Sequence, residues 1–94
     1  MSVRNEPTLK RKLSWEDRAK AEVRAIDRQV AYEILLAIDN WRTTDQGDVI
    51  RLRPPLTGFR LRVGDWRVFF KALPGENAIH ITSVLHRGKA YREK

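Results

Sequence analysis

The stretch Gly58-Phe59-Arg60-Leu61-Arg62-Val63-Gly64-Asp65-Trp66-Arg67-Val68-Phe69-Phe70 constrains this chain more than any other. Apolar and charged side chains alternate on either side of Gly64-Asp65, the pattern of two strands joined by a two-residue loop with glycine first, as a type II′ hairpin turn requires. The loop fixes a register: Val63 faces Trp66, Arg62 faces Arg67, Leu61 faces Val68, Arg60 faces Phe69 and Phe59 faces Phe70. Strand side chains alternate between faces, so Phe59, Leu61, Val63, Trp66, Val68 and Phe70 form a core face, and Arg60, Arg62 and Arg67 share the other. Like charges directly opposite one another cost a sheet some tenths of a kcal/mol up to about 1. Arg62 against Arg67 therefore points to an anionic partner, or else to arginines lying flat over apolar surface with their heads in water. The sequence leaves both open.

The 94 residues suffice for one domain with a modest core, and 41% hydrophobic with 33% charged residues is a globular composition, far from a disordered one. A net charge of +7 and a pI near 10.4 favour polyanionic partners: nucleic acid, a ribonucleoprotein surface or an acidic protein. Without cysteines there are no disulfides or Cys-rich zinc sites, and the two histidines, His80 and His86, have no accompanying carboxylate cluster, so neither a metal nor a cofactor is expected. No signal peptide or apolar run long enough for a membrane helix is visible, so a cytoplasmic protein with no membrane partner is expected.

Along the chain, Met1 to Pro7 reads as a flexible terminus and Thr8 to Leu13 as a weak edge strand. Ser14, with Glu16 and Asp17 in the first turn, is expected to open a helix whose stripe is Trp15, Ala19, Val23 and Ile26. Asp27 is expected to cap a second helix with an apolar face of Val30, Ile34, Ala37, Ile38 and Trp41, widened by Leu35 and Leu36. Thr43 to Asp48 is a turn. Val49 to Leu56, with Pro54-Pro55, reads as an extended connector unfit for a central strand. A second turn lies at Leu73 to Asn77, and Ala78 to Leu85 forms another strand whose broken parity predicts a bulge near Thr82-Ser83 or a strand buried on both faces.

No phosphate loop, dinucleotide fingerprint or Ser-His-Asp order is present. What remains is an arginine face and a strand end that is expected to bring His86, Arg87 and Tyr91 beside it. Such a set suits RNA cleavage by the 2′-hydroxyl, in which one group accepts the hydroxyl proton, cations stabilise the phosphorane, and an acid protonates the leaving 5′-oxygen. Arginine serves the second task well, because its planar fork matches phosphate oxygens and keeps its charge. His86 is the titrating group of this region and is as readily structural as catalytic; Tyr91 could stack on a base, donate a proton or cover the sheet edge. His80, within a strand, is better read as a structural histidine, packed or facing solvent, than as a catalyst.

The string Leu56-Thr57-Gly58-Phe59-Arg60-Leu61-Arg62-Val63-Gly64-Asp65-Trp66-Arg67-Val68, followed by Val84-Leu85-His86-Arg87 and then Tyr91, resembles the RelE/ParE superfamily of toxin-antitoxin toxins. The resemblance runs from about Ser14 to Tyr91. It implies an α+β fold over residues 1–94, a small antiparallel sheet packed against an N-terminal two-helix hairpin in the order β-α-α-β-β-β. It also implies a metal-independent, ribosome-dependent mRNA endonuclease of the RelE-like branch, held in check by a cognate antitoxin. By position, the family's basic active-site residues fall on Arg60, Arg62, Arg67 and Arg87, its late aromatic on Tyr91, and a basic or histidine position on His86. ParE-like relatives share the fold and poison DNA gyrase instead, and a toxin fold that has lost its activity is the third possibility.

Overall fold

The computed structural model describes residues 11–73 and 75–90. Their order is β1 (Lys12–Trp15), α1 (Asp17–Arg24), α2 (Arg28–Thr44), β2 (Asp48–Arg51), β3 (Phe59–Val63), β4 (Trp66–Leu73), β5 (Ala78–His86) and α3 (Arg87–Ala90). The five strands form one sheet in the order β1-β5-β4-β3-β2, with β1 parallel to β5 and every other pair antiparallel. The class is the expected α+β, but the sheet is mixed and has one strand more than the expected four. The flexible terminus read at Met1 to Pro7, and the start of the strand read at Thr8, lie outside the described residues.

The hairpin forms in the predicted register, from Phe59 opposite Phe70 to Val63 opposite Trp66. Gly64 has φ 58° while Asp65 is not among the residues of positive φ. A positive φ at the first loop position alone is the signature of a type II′ turn, and glycine adopts it without the Cβ penalty. The apolar face of the hairpin packs as expected: Leu61, Val68 and Phe70 are buried, with Phe59, Val63 and Trp66 against them.

The helices cover that face. Ala19 of α1 and Ile34 and Ile38 of α2 are buried in one cluster with Leu61, Val68, Phe70, Ile79, Ile81 and Val84. Asp27 caps α2 as predicted, its carboxylate accepting from the Gln29 amide at 3.1 Å. Two expectations fail here. Ser14 does not start α1: it belongs to β1, the cap position falls on Glu16, and no side chain bonds there. Leu35 and Leu36 do not widen the core face of α2, since both are exposed along with Tyr32. Ile34, Ile38 and Trp41 already fill the stripe that one side of a helix can turn to a sheet, which leaves the residues at 35 and 36 pointing away.

Val49 to Leu56 is only partly a connector. Asp48–Arg51 pairs with β3 as an edge strand, and the prolines lie beyond it. The predicted bulge is present: Phe69 faces Ser83 and Phe70 faces Ile81, so Thr82 has no partner across the ladder. The extra residue reverses the phase of β5. Ile79, Ile81 and Val84 therefore all bury, and the side chains beyond the bulge exchange faces relative to an unbroken strand. No described helix is long and apolar enough to cross a membrane.

Candidate nucleic-acid interface

α2 packs on one side of the sheet and α1 runs beside β5, with Ala19 turned to the core and Glu22 reaching Ser83 on the other side. That other side is the open face, and the register states which side chains occupy it. Residues directly opposite one another point the same way. Nearest the hairpin tip lies the row Asp48, Arg62, Arg67, Leu85; the next is Ile50, Arg60, Phe69, Ser83. Farther along, Lys71, His80 and Ser14 form a third. The three arginines read from the hairpin therefore do share one face.

Their environments differ. Arg62 is exposed, whereas the Arg60 side chain keeps 13% of its surface, and Asp48 lies 3.5 Å from Arg60 and 3.7 Å from Arg62. Arg67 is 5% exposed and folds back on the hairpin, its Nη1 donating to the carbonyls of Gly64 and Trp66 at 2.9 Å each. The like-charge pair is thus relieved on both sides, by a carboxylate next to Arg62 and by carbonyl dipoles around Arg67. Arg87 sits at the hairpin tip, where its backbone amide donates to the Asp65 carbonyl at 2.7 Å and its exposed guanidinium pairs with the Asp65 carboxylate at 3.8 Å.

Beside the arginines is a groove of about 340 Å³ between the 52–57 loop, β5 and α3, with Leu52, Leu56, Phe69 and Leu85 as apolar lining and Lys89 at its margin. Its far wall is tied down by Glu22 of α1, whose Oε1 accepts from the Ser83 hydroxyl at 3.0 Å and from the Val84 amide at 2.7 Å. A carboxylate at this point satisfies a backbone donor that the bulge takes out of the ladder. Phe69 and Leu85 of the groove stand directly opposite Arg60 and Arg67 on the same face, an arrangement that can take a flat ring while its phosphate meets arginine.

His86 is not in that groove. It lies opposite Trp66, with the ring centroids 5.3 Å apart and edge to face, and so belongs to the covered side of the sheet. The expectation that the strand end brings it beside the arginines is corrected by the bulge, which sends Leu85 to the arginine face instead. Tyr91 lies outside the described residues. Sequence reasoning passed over three groups of the open face: Asp48, Glu22 and Lys89. Asp48 looked like turn punctuation, and Glu22 is visible only once α1 is placed against β5. His80, its side chain 30% exposed, bridges Ser14 (2.7 Å) and Glu16 (3.2 Å) and so ties β5 to β1 rather than packing in the core. Among the described residues no group of three or more His, Cys, Asp or Glu is placed to hold a metal ion.

No protein-family model matches the sequence, and neither does any curated protein. Solved structures do match in fold. A RelBE toxin-antitoxin complex from Mycobacterium tuberculosis aligns with TM-score 0.72 at 18% identity over 82% of this chain and 98% of that one. The RelE-RelB complex from Pyrococcus horikoshii gives 0.70 at 20% identity, over 85% and 98%. The RelB-RelE complex from Methanococcus jannaschii gives 0.68 at 17% identity, over 84% and 95%. The chain has the fold of the RelE-like toxins along nearly their whole length.

Proposed function

We propose that the protein is the toxin of a type II toxin-antitoxin pair and acts as a metal-independent endoribonuclease on mRNA held by the ribosome. The observation that carries this reading is the open sheet face of a RelE-like fold with Arg60, Arg62 and Arg67 on it and the groove of Phe69 and Leu85 alongside. In the reaction proposed, the 2′-hydroxyl gives up its proton as its oxygen attacks phosphorus, the P–O5′ bond breaks, and the departing 5′-oxygen takes up a proton, leaving a 2′,3′-cyclic phosphate and a free 5′-hydroxyl. Arg60 and Arg62 stabilise the phosphorane charge, Arg87 holds a neighbouring phosphate at the hairpin tip, and Arg67 keeps the tip in shape while adding its charge to the field. Tyr91 follows α3 by one residue, and we assign it the base-stacking or proton-donating role. His86, on the covered side, has no part in this scheme. The cytoplasm, where translating ribosomes are, is the compartment proposed.

The partner proposed is a cognate antitoxin, as the solved neighbours are toxins bound to antitoxins. One observation favours a second reading: with His86 turned away, the described arginine rows hold cations and no imidazole, as befits a fold that binds without cutting. Inhibition of DNA gyrase is that alternative. Induction followed by primer extension on translated mRNA separates them. The nuclease reading expects codon-positioned cuts, lost in the Arg62→Ala, Tyr91→Phe double variant; arrested growth with intact mRNA would sink it.

A further inference from the structure

The open face carries a carboxylate where its cations converge. Asp48 stands directly opposite Arg62 across the β2–β3 ladder. Its Oδ1 is 3.5 Å from Nη2 of Arg60, and its Oδ2 is 3.7 Å from Nη1 of Arg62. Two oxygens of one anion, each turned to a different guanidinium, is the arrangement that the non-bridging oxygens of a phosphate take between two arginines. Both separations are longer than the roughly 2.7–2.9 Å of a tight charge-assisted hydrogen bond, so the carboxylate holds the pair loosely. It is open to solvent from the Arg62 side: the Asp48 side chain is 51% exposed and that of Arg62 56%, while that of Arg60 keeps 13%.

We propose that Asp48 is a built-in stand-in for phosphate, occupying the Arg60–Arg62 pair in the free protein and displaced by a phosphate group of the bound nucleic acid. The inference rests on the reading of the open face as a nucleic-acid site. Being fixed to the backbone of β2, the carboxylate is always at hand, and it repels any phosphate that lodges nearby. A lone phosphate must replace two weak ion pairs and gains nothing elsewhere. A polynucleotide makes up the difference through Arg87 and Lys89, so Asp48 selects for extended polyanions over small ones.

The test follows the arginine Nε–H resonances of the full chain during titration with inorganic phosphate and, separately, with a short single-stranded RNA. It compares wild type, Asp48→Asn and Asp48→Ser, each verified as folded by circular dichroism. Removal of the carboxylate charge is expected to tighten phosphate binding about three- to tenfold at low salt, the scale of one or two exposed ion pairs. The gain in RNA affinity should be smaller, and both gains should shrink as salt is raised. Unchanged or weaker phosphate binding in both variants, or no phosphate-dependent shift at all, would overturn the proposal and make Asp48 a positioner of the arginines. If the variants gain phosphate affinity but no protein binds RNA, Asp48 still occupies an anion site, and the nucleic-acid reading, with the selection for polynucleotides built on it, is overturned.

Discussion

Arg62 and Arg67 face each other across one rung of the hairpin, yet their surroundings set them different tasks. Arg67 is buried with two carbonyl partners, so Arg67→Ala leaves polar groups of the turn without a donor and is expected to lower stability by about 1–3 kcal/mol in urea unfolding. Arg62→Ala removes an exposed cation and is expected to change stability by under about 0.5 kcal/mol while weakening RNA binding. A loss of activity in the Arg67 variant is therefore interpretable only beside its unfolding curve. The same contrast holds for the apolar residues. Ile81, fully buried, should cost about 2–5 kcal/mol on replacement by alanine. Leu36, half exposed, should cost a small fraction of that.

At the scale of elements, what could be read in advance was whatever local chemistry decides. The hairpin register follows from one two-residue loop, and the cap of α2 follows from Asp27, because each depends on neighbours in sequence. The start of α1 was misplaced because Ser14 is drawn into β1, where it pairs with His80 sixty-six positions away. Likewise, broken parity in 78–85 announces a bulge, but its consequence, Leu85 toward the arginines and His86 away from them, depends on which residue is left out of the ladder. That residue is Thr82, and the clamp that fixes the arrangement is Glu22. Glu22→Ala is expected to destabilise the fold by about 1–3 kcal/mol and to speed hydrogen exchange at the Val84 amide. Glu22→Gln, which keeps an acceptor oxygen, should lose less. Gly58 sets the root of β3: a Cβ there would meet the Phe70 carbonyl oxygen at 2.7 Å, on a backbone with φ of 100°. Gly58→Ala should therefore shift the 52–57 loop that borders the groove, seen as altered amide shifts over those residues.

For the molecule as a whole, the apolar residues of α1 and α2 close the core on one side of the sheet, and the arginine rows lie on the other. If three cations of the open face meet phosphates, the slope of log K against log salt for single-stranded RNA should be about −2, and Arg62→Ala should reduce its magnitude by about 0.7. Cleavage on the ribosome is decided by a reaction with purified protein, in which one defined mRNA is offered free and on programmed ribosomes, with gyrase supercoiling assayed in parallel. Nuclease action on the ribosome predicts cuts within the ribosome-held codon, little cleavage of free mRNA, and supercoiling untouched. Intact mRNA on the ribosome together with blocked supercoiling would contradict it.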